Sequence, residues 1–251
     1  MALGTVGRRG EHDRAGRSAD GRSGARGVVV GVLGARGGVG ASSLAALVAA
    51  RAARRTATAL VDLDPSGGGL DVLVGLEEEP GARWPDLAHA RGDVDGRDVV
   101  ALLPRWGRVA VLSCDRSRPG PVDAAGAGDV VEAVARASGC VVVDLARADA
   151  TAAHPGLAAC DLVALVAARD LRSVAGALAL REVLPTLSAG LVVRGPAPGG
   201  LGATELAEAV GLPVLWAGRA DRRLARAAEQ AVLPLHGPAA RAAAAVLARV
   251  L

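Results

Sequence analysis

Along residues 27 to 251, short apolar runs alternate with stretches in which Ala, Leu and Val recur at helical spacing, whereas residues 1 to 26 show no hydrophobic period. The first run, Gly27-Val28-Val29-Val30-Gly31-Val32-Leu33, ends in a glycine-rich turn, and an Ala/Leu-rich stretch from about 42 to 54 follows it. That order reads as strand, loop, helix. Further apolar runs at about 57–63, 109–114, 139–145, 161–167, 190–194 and 212–216 predict strands, with helices at 129–137, 171–184, 204–210 and 221–229 between them. Several of these strands are continuous Val, Leu and Ala rather than alternating, as required of parallel strands covered on both faces. The pattern predicts an α/β fold: a doubly wound, mostly parallel sheet with helices on both faces, one domain over residues 27–251. Residues 77–108, which hold Pro80, Pro85 and Pro104, read as short helices and loops over one edge.

Half of the 251 residues are apolar, enough for one sizeable core, and Trp84, Trp106 and Trp216 are the only aromatic residues. The core must therefore be built from small and branched side chains. The formal charge is +3, and residues 1–26 carry six Arg against Glu11, Asp13 and Asp20, so the tail accounts for the whole excess. A disordered basic tail is expected there, ahead of a nearly neutral body, which argues against nucleic acid as the main partner. Cys114, Cys140 and Cys160 lack metal spacing and read as buried free thiols of a reducing compartment. No run reaches the ~18 apolar residues of a membrane span, and the N-terminus has no signal-peptide core, so a cytoplasmic protein is expected. The segment from Pro238 to Leu251 is mostly Ala with Arg241 and Arg249, too small in apolar area for firm membrane insertion, and is expected to pack as a terminal helix.

Chemistry concentrates in Gly34-Ala35-Arg36-Gly37-Gly38-Val39-Gly40-Ala41-Ser42-Ser43, between the first strand and the first helix. Closely spaced glycines let backbone N–H groups converge, and a helix N-terminus adds partial positive charge, so an anion is favoured there. Ser42 stands where a phosphate loop places its Mg²⁺-binding hydroxyl. Taken alone, the segment also fits a plain glycine-rich turn; the dinucleotide loop G-x-G-x-x-G fits less well, because residues 38–43 give G-x-G-x-x-S. Two further segments carry carboxylates: Ala59-Leu60-Val61-Asp62-Leu63-Asp64-Pro65, with Asp62 and Asp64 one residue apart, and Cys140-Val141-Val142-Val143-Asp144-Leu145, a strand ending in Asp144. At the C-terminal ends of parallel strands such groups can orient a water or reach Mg²⁺ through water.

The glycine order of the loop resembles the deviant Walker A motif of the ParA/MinD family of P-loop ATPases, K-G-G-x-G-K-[ST], with Arg36 and Ala41 at the two lysine positions. Gly69-Leu70-Asp71-Val72-Leu73-Val74-Gly75-Leu76-Glu77, Asp170-Leu171-Arg172-Ser173-Val174 and Asp221-Arg222-Arg223-Leu224-Ala225 are similar to segments of its CpaE-like (TadZ, septum site-determining) branch. The resemblance implies ATP and Mg²⁺ as cofactors, with Gly34, Arg36, Gly37, Gly38, Val39, Gly40, Ala41, Ser42 and Ser43 binding nucleotide. It assigns Ser42 and Asp144 to the metal, and Asp62 or Asp64 to the attacking water. It also implies a nucleotide-promoted homodimer in which Arg36 reaches across, and protein partners in septum or secretion/pilus machinery, to which a cytoplasmic protein is recruited at septum or pole. Many CpaE-like proteins carry a receiver-like domain ahead of the ATPase domain, and no such domain is expected in the short stretch preceding the first strand. Without the lysine that meets the β and γ phosphates, Ala41 forfeits a charge-assisted contact of roughly 1.5–3 kcal/mol, so weak ATP binding and little or no hydrolysis are expected. A nucleotide-independent scaffold and a ParA-like DNA-partition protein, using Arg219, Arg222, Arg223 and Arg226, are the alternatives.

Overall fold

A computed structural model of the chain describes residues 26–92, 94–120, 122–150, 154–184 and 189–251. The tail expected over residues 1–26 lies outside the described residues up to residue 25. Arg26 is placed, and its guanidinium pairs with Asp161 at 2.8 Å.

Strands β1 (Val28–Gly34), β2 (Thr58–Leu63), β3 (Arg105–Trp106), β4 (Val109–Leu112), β5 (Cys140–Leu145), β6 (Leu162–Ala168), β7 (Ala189–Arg194) and β8 (Val214–Gly218) form one sheet. Its spatial order is β3-β4-β2-β5-β1-β6-β7-β8. All pairings are parallel except β3 with β4, a two-residue edge hairpin closed at Gly107, whose φ of 58° favours glycine. β1 lies between β5 and β6, and connections run to opposite sides from it. The C-terminal end of β1 is thus the switch point of the sheet, where such folds open a crevice.

Helices alternate with the strands: α1 (Ala41–Ala52), α2 (Leu70–Val74), α3 (Gly96–Leu102), α4 (Ala124–Ala137), α5 (Arg147–Ala150), α6 (Pro155–Ala158), α7 (Leu171–Arg181), α8 (Ala203–Val210), α9 (Leu224–Glu229) and α10 (Pro238–Leu247), with a 3₁₀ turn at Trp84–Leu87. Period-2 alternation sends Val29, Leu33, Val61, Val141 and Val143 to one face, where they meet α4, α7 and α8. Val30, Val32, Leu60 and Val142 go to the other face, against α1 and α10. Every residue of β2, β5 and β6 is buried, which is why their sequences are apolar apart from Thr58, Asp62 and Asp144. α10 packs on α1 through Ala242, Ala243, Val246 and Leu247, as expected of a packed terminal helix. Burial pushes the thiols of Cys114, Cys140 and Cys160 up to about 12, so all three free cysteines are held as thiols.

α4 begins five residues earlier than its sequence pattern suggests. The Asp123 carboxylate accepts from Gly126 N–H at 2.8 Å and caps the helix, while Gly126 and Gly128 weaken the apolar signal of its first turns. Gly128 allows close approach, since a Cβ there would lie 2.7 Å from Pro155. α9 starts after Arg223 rather than at Asp221, because the Asp221 carboxylate receives the N–H and guanidinium of Arg223 in a turn.

One contact ties the helix layer to the switch point. A Cβ on Gly176 of α7 would lie 1.8 Å from the Ala35 carbonyl oxygen, so α7 rests directly on the backbone that leaves β1. Gly176→Ala should therefore push α7 off this backbone and cost about 2 kcal/mol or more, lowering the melting temperature by several degrees. Gly37→Ala, where the added methyl meets open space, should stay within about 0.5 kcal/mol. Thermal unfolding of the two variants side by side checks the contrast.

Candidate functional site

The chain leaves β1 with Ala35 N–H donating to the Val166 carbonyl at 2.9 Å, which anchors the turn to β6. Gly38 and Gly40 then adopt φ of 72° and 88°, a left-handed conformation that L side chains avoid. The Val39 side chain is buried, so only its backbone is available to a ligand. α1 starts at Ala41 with no side-chain cap and no acidic residue in its first turn. Its first amides consequently lack intrahelical partners and carry the positive end of the helix dipole toward the crevice. The residues expected to bind nucleotide, Gly34 and Arg36 to Ser43, run from the end of β1 through this turn into α1, and Ser42 is exposed on the first turn of α1.

The Ser42 side chain lies in the same cleft as Asp144, the last polar residue of β5, close enough to favour its ionised form. Asp144 is buried, and burial pushes its carboxyl up to about 7; the Ser42 hydroxyl opposes this, while the nearby charges of Asp62 and Asp64 add to it. In the sheet Asp62 is the register partner of Asp144 on β2. Burial likewise drives Asp62 up to about 6, against three hydrogen bonds that favour its ionised form. Asp64 N–H donates to its Oδ1 at 3.0 Å, and Leu70 N–H and the Ser113 hydroxyl approach its Oδ2 at 2.9 and 3.1 Å. Both oxygens of Asp62 are thus committed to holding the loop that joins β2 to α2. Asp64 lies past the end of β2, half-buried, with its Oδ1 receiving the Ser66 N–H and hydroxyl.

A buried polar layer supports this loop. Ser113 lies between Asp62 and Asp71, and the buried Arg83 guanidinium faces Asp71 at 3.4 Å while donating to the Leu76 carbonyl at 2.8 Å. The Trp84 indole N–H donates to the Asp62 carbonyl at 2.5 Å. Sequence patterns single out neither Ser113 nor Arg83 for this role. Above the layer, a cleft of about 400 Å³ is lined by Ser42, Asp62, Asp64, Glu77, Asp144 and, from α9, Glu229. A larger cavity of about 500 Å³ opens beyond Gly67–Gly69 and touches none of residues 34–43. Two of its arginines, Arg116 and Arg118, are engaged by Glu78 and by Asp86 and Asp115. The smaller cleft has the hydroxyl, the carboxylates and the open helix terminus, and on that chemistry it is the candidate site.

Arg36 points to the opposite side of the turn. Its guanidinium pairs with Asp170 Oδ2 at 2.8 Å, and its Nε is buried without a hydrogen-bond partner among the described residues. The Arg36 hydrogen bond holds the Asp170 carboxyl down at about 2. The other oxygen of Asp170 accepts from Ser173 N–H at 2.8 Å and caps α7.

The donor set suits a nucleotide with Mg²⁺: amides and a helix terminus for phosphate oxygens, one hydroxyl for the metal, and a carboxylate beside that hydroxyl. Ala41 contributes only a methyl group. Among the described residues, no helix is long and apolar enough to cross a membrane.

No family model matches the sequence. Two uncharacterized proteins from two strains of Mycobacterium tuberculosis are 45% identical over 183 residues, 70% of this chain and 51% of each relative. The chain thus spans about half the length of these curated relatives. Among solved structures, a ParA family ATPase from Chlorobium tepidum is similar with a TM-score of 0.72, at 16% identity over 88% of this chain and 98% of that one. MinD of the MinC:MinD cell division complex from Aquifex aeolicus gives 0.70 at 16% identity, covering 88% and 94%. The septum site-determining protein MinD from Pyrococcus horikoshii, complexed with Mg-ADP, gives 0.70 at 13% identity, covering 89% and 95%. With its eight-stranded, mostly parallel sheet wound on both sides of β1, the chain has the P-loop ATPase fold shared by ParA and MinD proteins.

Proposed function

We propose that this chain belongs to the ParA/MinD family, CpaE-like branch, and acts as a nucleotide-responsive positioning protein for septum-site or secretion/pilus machinery. It would bind ATP with Mg²⁺ weakly and hydrolyse it slowly or not at all. The observation that carries this reading is the Ser42 hydroxyl beside Asp144 in one cleft at an uncapped α1 terminus: metal-binding hydroxyl, supporting carboxylate and phosphate-binding amides meet at one point. In this reading the amides of residues 37 to 43 hold the phosphates, Ser42 binds Mg²⁺, and Asp144 reaches it through water. Mg²⁺ supplies charge neutralisation of the phosphates when bound. Asp62 acts as a positioning residue for the loop at 64–70, and Asp64, at the edge of the cleft, is the carboxylate that orients water.

The MinC:MinD complex among the similar structures supports a protein partner, and the Mg-ADP complex supports the cofactor. Dimerisation would need Arg36 to exchange Asp170 for the nucleotide of a second copy. A nucleotide-independent scaffold is the second reading, favoured by the missing charge at Ala41. DNA partition has less support, because Arg223 is held by Asp221 and the His236 carbonyl.

Calorimetric titration with ATP and Mg²⁺, with sedimentation on the same samples, separates the two main readings. The positioning reading expects binding in the micromolar to millimolar range with a shift to dimer; no binding at millimolar nucleotide supports the scaffold. Ala41→Lys should tighten ATP binding about 10- to 100-fold, the return of one charge-assisted contact. Ser42→Ala should abolish the gain in affinity that Mg²⁺ confers while leaving metal-free binding within about twofold. Arg36→Ala should leave nucleotide affinity within about threefold and remove the ATP-dependent dimer seen by sedimentation.

A further inference from the structure

The strand ends around the phosphate turn are divided by charge. On one side of β1, Asp62 and Asp144 stand near the ends of β2 and β5 and Asp64 follows β2; on the other, β6 is followed by Arg169, β7 ends in Arg194 and β8 is followed by Arg219. The acids on the arginine side are engaged: Asp170 by Arg36, and Asp221 by Arg223. Metal chemistry belongs to the carboxylate side. The arginine side raises the question of what its charge is for.

Arg194 lies nearest the turn. Its Nη1 donates to the Val39 carbonyl at 2.6 Å, the one side-chain hydrogen bond it makes among the described residues, and it forms no ion pair there. A Cβ built on Gly40 would lie 2.8 Å from the same nitrogen, so the guanidinium packs against the residue just before Ala41. Partial burial and the neighbouring Arg36 charge disfavour its protonated form, with Asp221 opposing them, yet an arginine remains charged at neutral pH. The result is a cation with unused donors, held at short range from the amides that open α1. An anion on those amides offsets the cost of bringing Arg194 and Arg36 together.

We propose that Arg194, reaching in from the end of β7, is the phosphate-binding cation that position 41 lacks, and that its ligand is the polyphosphate of a nucleotide bound at the turn. The proposal rests on the nucleotide reading of the site. It explains why Ala is sustainable at position 41: an arginine from β7 already touches the turn at Val39 and Gly40, just before that position. It also assigns Gly40 a second role, because any side chain there would displace the guanidinium. The planar guanidinium can give a second pair of N–H groups to a phosphate while keeping Val39.

Calorimetry with MgATP and with inorganic tripolyphosphate, on wild type, Arg194→Gln, Arg194→Lys and Arg194→Gln with Ala41→Lys, tests this. Gln retains a donor for Val39 without the charge. R194Q should weaken both ligands about tenfold or more with a melting temperature close to wild type, R194K should recover part of the loss, and lysine at position 41 should restore R194Q. Unchanged affinity in R194Q overturns the role of Arg194 and leaves the nucleotide reading intact. A loss that lysine at position 41 does not restore, with a lowered melting temperature, makes Arg194 a staple of the turn and overturns the proposal as well. Wild type that binds neither ligand overturns this inference together with the nucleotide reading.

Discussion

The unpaired amides at the start of α1 are the constraint on which the rest of the site depends. A helix of twelve residues ordinarily gains about 1 kcal/mol from a Ser, Asp or Asn cap, and here Gly40 in a left-handed conformation stands in that place. The lost cap is tolerable because α1 is held by packing rather than by its ends. Leu44, Leu47 and Val48 are buried against β1 and β5 on one side and against α10 on the other. The terminal helix thus serves the crevice indirectly: by covering α1, it allows the N-terminus to stay open.

Carboxylates on the other side of the turn are arranged at a cost. Parallel pairing puts Asp62 and Asp144 in register on adjacent strands, both buried, and burial raises the affinity of each for a proton, with the charges of Asp62 and Asp64 adding to it at Asp144 and that of Asp64 at Asp62. The fold answers with donors: two backbone amides and Ser113 for Asp62, and Ser42 for Asp144. Two of these donors, the amides of Asp64 and Leu70, belong to the loop itself, so the charge state of Asp62 is coupled to the conformation of residues 64–70. A positive ion beside Ser42 relieves the same repulsion, and this links binding to loop order without a separate device.

The sequence made the fold legible where burial is symmetric, and hid it where glycine or chain turns intervene. β2, β5 and β6 are visible as apolar runs, interrupted only by Thr58 and the site carboxylates Asp62 and Asp144, because helices cover both of their faces. β3 is invisible because two residues between Pro104 and Gly107 leave no pattern to read. The site divides in the same way. Residues 34–43 are readable because phosphate recognition by backbone needs closely spaced glycines, a local requirement. Long-range partners leave no such trace: Arg36 and Asp170 are 134 positions apart, Ser113 and Asp62 are 51 apart, and Arg194 and Val39 are 155 apart. Only the topology, which puts the ends of β4 and β2 side by side, and those of β1, β6 and β7, brings them together.

Asp170 shows how one such partner can serve two ends. Its Oδ1 caps α7 through Ser173 N–H, and its Oδ2 receives Arg36. The ion pair is partly exposed, and pairs of that kind contribute about 0–1 kcal/mol. Releasing Arg36 therefore costs little and leaves the α7 cap in place. α7 itself cannot drift, because Gly176 sits against the Ala35 carbonyl. The cation can leave while the framework that aims it stays fixed. A residue tethered weakly on a rigid support suits a contact made only when a second partner arrives, whereas Arg194, holding the turn from within, suits one that is always present.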